Sequence, residues 1–132
     1  MAEVLLARRL HDRGIDVIVE SAGTNAMVGH PADPLARELM TSKGLDLSSH
    51  KARQLTSEMI RSFDLVLVME AQQQRAVEGM DSSARGRVHR LGRMSGFEVP
   101  DPYRRGRAAF EASLALIERG VDEIHGAFWS KR

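Results

Sequence analysis

The spacing of apolar residues changes several times along the chain, and each change marks an element. From Ala2 to Arg13, the residues Ala2, Leu5, Leu6 and Leu10 fall on one helical face, and Gly14 follows as a helix stop. Asp16-Val17-Ile18-Val19-Glu20 is a short apolar run with polar ends, which predicts a strand buried on both faces. A loop opens at Ser21-Ala22-Gly23-Thr24 and passes through Val28-Gly29-His30-Pro31. Asp33 then stands as an N-cap, with Pro34 at the first helical position, Leu35, Leu39 and Met40 inside, and Gly44 past the end. After a connection through Asp46 to His50, a short helix starts near Thr56. Asp64 opens a second buried strand, Leu65 to Met69. Ala71 to Gly79 predicts a weaker helix and Val88 to Leu91 a brief strand. Glu98 to Tyr103 must be irregular, because Pro100 and Pro102 bracket Asp101. In the last helix Phe110, Leu114, Ile117, Val121, Ile124 and Phe128 repeat at helical spacing, and with Trp129 they are assigned to the core.

Helices alternating with short apolar strands predict an α/β fold in three layers, a parallel sheet covered by helices on both faces. No repeat, linker or shift of composition divides the chain, so residues 1–132 read as a single domain. The chain nevertheless opens on a helix with no strand before it, whereas such folds place a strand ahead of the helix whose N-terminus meets the ligand. Only two strands are convincing. The expectation is a domain incomplete at its N-terminus.

Composition narrows the chemistry more than the class. With 42% hydrophobic and 28% charged residues, 11 Gly and 4 Pro, the chain is neither collagen-like nor disordered. Its longest clean apolar run, Leu65 to Met69, is far too short to span a membrane, and no basic segment followed by an apolar stretch marks a signal peptide. The net charge of +1 predicts no partner. Arginine dominates the cations, however, and Arg85, Arg87, Arg90, Arg93, Arg104, Arg105 and Arg107 face only Glu98 and Asp101 in the same stretch. Such a run is either a solvated basic face or a positive approach to an anion. There is no Cys, which removes disulfides, Cys-ligated zinc and thiolate nucleophiles together.

General motifs fail: GxGxxG, GxxxxGK[ST], GxSxG and HExxH are all missing. The histidines at 11, 30, 50, 89 and 125 share no ligand spacing, so neither a metal site nor a cofactor is expected. What is specific is a set of strings in fixed order. They are Glu20-Ser21-Ala22-Gly23-Thr24, Val28-Gly29-His30-Pro31-Ala32-Asp33-Pro34, His50-Lys51-Ala52-Arg53-Gln54-Leu55-Thr56, Asp64-Leu65-Val66-Leu67-Val68-Met69-Glu70 and Pro100-Asp101-Pro102-Tyr103. Together, from Met1 to about Phe128, they resemble the low-molecular-weight protein tyrosine phosphatases, in particular the bacterial type associated with exopolysaccharide synthesis.

The resemblance implies a phosphotyrosine-phosphatase I fold, here with its first strand missing. In that family a Cys, five residues and Arg-Ser form a loop between the first strand and first helix. The loop amides and the Arg hold the phosphate while the thiolate attacks phosphorus. An Asp in an Asp-Pro-Tyr loop then protonates the leaving phenol. The resemblance makes Asp101 that general acid, puts Tyr103 and Met27 on opposite walls of the substrate pocket, and has Ser21 support the phosphate loop. It gives Arg53 and Gln54 structural places and supplies no nucleophile. Met1 falls just after the point where the Cys loop would end, so the 132 residues alone are expected to lack activity. Ser21 is then expected to lack its partner. The strand at Val17–Val19 and that at Leu65–Met69 would flank the missing one, and are expected to close up or to recruit another segment.

The implied setting is cytoplasmic, with a phosphotyrosine protein as partner, a bacterial tyrosine kinase among the candidates. Neither nucleic acid nor membrane insertion is expected, and homo-oligomers through exposed strand edges are. The rival readings are a pseudophosphatase binding module, an arsenate-reductase relative, and an Arg-rich nucleic-acid binder. The last is disfavoured by the lack of aromatics among the arginines.

Overall fold

In a computed structural model that describes residues 1–24 and 26–129, the polypeptide alternates helices with short strands. They run in the order α1 (Ala2–Asp12), α2 (Pro34–Thr41), α3 (Ser57–Ser62), β1 (Val66–Val68), α4 (Ala71–Met80), β2 (Val88–Arg90) and α5 (Arg107–Trp129). The starts follow from local chemistry. The Asp33 carboxylate accepts the Leu35 amide at 2.9 Å, with Pro34 beside it, and the Thr56 hydroxyl accepts the Met59 amide at 3.2 Å. Gln73 reaches back from α4 to accept the amides of Met69 and Glu70. After α1 and α2 the chain turns at Gly14 (φ 71°) and Gly44 (φ 76°), a backbone region that costs glycine nothing.

β1 and β2 pair in parallel, Val66 with Val88, Leu67 with His89 and Val68 with Arg90, and α4 makes the crossover. Side chains of β1 alternate between two cores. Val66 and Val68 join Ile60, Val77, Ala84 and Val88 under α3 and α4, while Leu67 and Met69 join Leu91, Ile117, Val121 and Ile124 under α1 and α5. The sheet is therefore covered on both faces, which makes the fold the three-layer α/β arrangement expected. A third cluster, around Leu39, Met40, Leu47, Phe110 and Leu114, fastens α2 to the start of α5.

The strand expected at residues 16–20 is not formed. Val17 and Ile18 are 44% and 76% exposed, and the segment has no strand partner. Its ends are pinned: the Ile15 amide donates to Leu10, and Gly23 bridges Gln54 in parallel. Between this segment and β1 lies an open groove of about 870 Å³. Asp16 to Ala22 form one bank, Leu65 to Met69 the other, with Leu6, Leu10 and Val121 on one side and Ile60 and Val77 on the other. The two banks have not closed up and paired with each other, the first of the two outcomes expected. The helices that set their separation are packed into separate cores, so closure would require repacking both. Phe128 is a second correction: assigned to the core, it is 42% exposed and rests on the His89 ring, centroids 5.3 Å apart. Trp129 is half-buried, packed on the edge of the α1–α5 core.

Beyond β2 the chain turns tightly through residues 92–97. A Cβ on Gly92 would run into the carbonyl oxygen of Phe97 and lie 2.6 Å from its ring. Because the Phe97 amide donates to the Gly92 carbonyl and keeps the Phe97 backbone close, Gly92→Ala is expected to cost about 3 kcal/mol. The measurement is a lowered urea midpoint with unchanged slope.

Candidate active site

The bracketed Asp101 of the sequence sits in a loop held at both ends. Upstream, the buried Val99 donates its amide to the Met69 carbonyl at 3.0 Å, which attaches the loop to the carboxyl end of β1. Glu98 accepts the Ala71 amide at 2.9 Å, at the start of α4. Downstream, the Phe110 amide donates to Gly106, where α5 begins. Within the loop the Asp101 Oδ1 accepts the Tyr103 amide at 3.0 Å, an Asx turn, and the Arg105 amide closes onto Pro102 at 2.9 Å. The carboxylate is exposed, and its Oδ2 makes no hydrogen bond among the described residues.

Arg104 is the one described non-glycine residue with positive φ, 61°. Its guanidinium lies 5.1 Å over the centre of the Tyr103 ring, a cation–π contact that helps hold the strained turn. Tyr103 itself is 43% exposed. The sequence offered no sign of this pairing, since the stacking depends on the turn that precedes it.

Ser21 lies at the mouth of the groove and does have a partner, against expectation: its hydroxyl donates to the Glu3 carboxylate in the first turn of α1. His50 Nδ1 stands 3.9 Å from the same carboxylate. The Met1 amino group nearby is held below the usual α-amino range by burial, with Glu3 pulling the other way. Met27 is 49% exposed on a turn closed by the His30 amide. Arg53 and Gln54, read from the sequence as structural, both bond the segment that carries Ser21. Arg53 ties to the Ser21 carbonyl and the Glu20 carboxylate, and Gln54 bonds the Ala26 amide and the Thr24 carbonyl.

These groups converge by element rather than by direct bonds. Ala2 and Glu3 at the start of α1, Ser21, and Met69 at the carboxyl end of β1 all line one end of the groove. Val99, at the root of the Asp101 loop, packs in the same core as Met1, Ala2 and Met69. Ligands of open α/β sheets bind at this end. Asp101, Tyr103 and Met27 do not line the groove, and no hydrogen bond joins Met27 to the Asp101 loop among the described residues. One participant went unnoticed in the sequence: Ser113 on α5, 1% exposed, whose hydroxyl donates to the Pro100 carbonyl at 2.8 Å. Its only signal was a polar residue beside Phe110, Leu114 and Ile117 on the buried stripe. No group of three or more His, Cys, Asp or Glu that could hold a metal ion occurs among the described residues, and no described helix is long and apolar enough to cross a membrane.

Comparison with known proteins locates this arrangement. The profile of the family described as low molecular weight phosphotyrosine protein phosphatase matches residues 1–131. A probable low molecular weight protein-tyrosine-phosphatase EpsP of Ralstonia solanacearum is 47% identical over 122 residues, covering 92% of this chain and 81% of that protein. The low molecular weight protein-tyrosine-phosphatase Etp of Escherichia coli K12 is 37% identical over 133 residues, covering 100% of this chain and 84% of its own. Among solved structures, Vibrio vulnificus Wzb in complex with benzylphosphonate superposes with a TM-score of 0.88 at 30% identity, over 96% of this chain and 88% of that one.

Proposed function

Because the chain belongs to the low-molecular-weight phosphotyrosine protein phosphatases, of the bacterial exopolysaccharide-associated type, we propose that it supplies the acid loop and pocket walls of a phosphatase whose nucleophile lies outside these 132 residues. The observation that carries this is the groove. It is open between the 16–22 segment and β1, and near the carboxyl end of β1 it meets the start of α1 and the root of the Asp101 loop. A further parallel strand laid there would pair on both sides and deliver its following loop to the N-terminus of α1, where backbone amides and the helix dipole favour a phosphate dianion.

In this reading Asp101 is the general acid, Tyr103 and Met27 flank the phenyl ring, and Ser21 braces the phosphate loop. The free Oδ2 of Asp101 supports the assignment, since a proton donor needs an oxygen not already committed. The substrate is a phosphotyrosine protein of the cytoplasm, with a bacterial tyrosine kinase among the candidates. The test is hydrolysis of an aryl phosphate by the 132 residues and by the same chain carrying a strand and Cys-x5-Arg-Ser loop ahead of Met1.

The same groove predicts the behaviour of the chain alone. The backbone edges along the groove form no ladder with each other, and an unpaired edge is a template for a further strand. With Val17 and Ile18 already exposed, a second copy covers these edges by strand addition. Sedimentation velocity is expected to show concentration-dependent association, and the extended chain to sediment as a monomer. A monomer at every concentration in both forms refutes the association.

A further inference from the structure

We propose that Ser113 is a positioning residue for Asp101, acting through the backbone of the loop rather than on the substrate. It is the sole buried polar residue among the described ones, 1% exposed on a helix face otherwise filled by Phe110, Leu114 and Ile117. A serine in such a place is disfavoured as a packing residue and as a helix former. Its hydroxyl donates at 2.8 Å to the carbonyl of Pro100, the residue directly before Asp101. That carbonyl belongs to a proline, which has no amide of its own to tie the loop down at this point. The neighbouring anchors lie on either side: the Val99 amide on Met69, and the Tyr103 amide on Asp101 itself. Ser113 is thus the attachment of the Asp101 peptide to α5, and α5 is fixed in turn by its packing on α1 and α2.

Two neighbouring features fit this role. Pro100 and Pro102 each restrict the backbone around Asp101, so a single added bond to the Pro100 carbonyl fixes the direction of the carboxyl with few freedoms left. The loop is otherwise exposed from Pro100 to Gly106 apart from the partly buried Pro102, so no packing substitutes for the bond.

The inference rests on Asp101 being the acid, but its test reads loop position and not turnover. The two therefore fail separately. Tyr103 is the only tyrosine in the chain, so 3-fluorotyrosine gives one resonance two residues from Asp101. Ser113→Ala removes one oxygen, leaves the helix at least as stable, and strands the Pro100 carbonyl. The fluorine line is expected to shift and broaden, and the Val99 amide to exchange about tenfold faster, the equivalent of one net hydrogen bond. The Leu91 amide, which donates to Val68 in the same sheet, is expected to be unchanged, because the effect is local. Ser113→Thr keeps the hydroxyl and is expected to restore both readouts. An unmoved fluorine line in Ser113→Ala overturns the proposal. So does equal loss of protection at Leu91 and Val99, or failure of threonine to rescue, since each would mark Ser113 as a packing residue.

Discussion

An aryl phosphate offered to the 132 residues alone is expected to hydrolyse at the uncatalysed rate, and supplying a strand with a Cys-x5-Arg-Ser loop ahead of Met1 is expected to raise turnover by at least about 10⁶-fold. The chain holds no cysteine, and the route through a phosphoenzyme needs a nucleophile that is appreciably ionised at neutral pH. The hydroxyl of Ser21, which lines the groove beside the start of α1, already donates to the Glu3 carboxylate. That arrangement opposes attack on phosphorus, since Glu3 sets a negative charge where a phosphate dianion would have to approach. A phosphate loop brings its own Arg and a row of amides, and these offset Glu3 while the start of α1 adds its dipole. The strand that carries the loop also fills the groove, so activity and thermal stability are expected to rise together. Replacing the added Cys by Ser should abolish the first gain and keep the second. Turnover by the unextended chain that scales with its concentration after purification would sink this account.

Most helices were legible because their signals are local. Asp33 before Pro34, Thr56 before α3 and Gly44 after α2 each act within one turn of their own position, and the structure uses them as caps and stops. The strands at β1 and β2 were legible for a different reason: each has the other as a partner. Residues 16–20 carry the same kind of apolar run, yet a strand exists only when its amides and carbonyls find a neighbouring chain. With an open groove beside it, the run stays unpaired and Ile18 is left 76% exposed. Phe128 keeps helical register with the core residues before it, but the pattern cannot say how far along α5 the core extends; Phe128 lies against the His89 ring of β2 and stays 42% exposed. The site divides the same way. The irregular loop at Asp101 was legible because its two prolines are adjacent, whereas the Ser21–Glu3 bond and the Ser113–Pro100 bond join residues far apart in the chain.

Asp101→Asn in the chain extended with the Cys loop is expected to slow phosphoryl transfer from a poor leaving group by about 10²–10⁴-fold, and from a strongly acidic phenol by far less. The asymmetry follows from what the acid supplies. As the P–O bond breaks, charge builds on the phenol oxygen. A phenol of low pKa carries that charge unaided, while one of high pKa needs a proton during bond breaking. Asparagine preserves the shape of the side chain and, through its carbonyl oxygen, the bond from the Tyr103 amide, so the Asx turn survives. What it lacks is a proton to transfer. The turn role and the acid role of Asp101 are thereby separated in one substitution, because a residue needed only for the turn would tolerate asparagine with every substrate. Pre-steady-state rates of enzyme phosphorylation across substituted phenyl phosphates give the measurement. The slope against leaving-group pKa should be steeper for the variant, with the two lines converging toward the most acidic phenols. Parallel lines of equal height would show that Asp101 serves the turn alone.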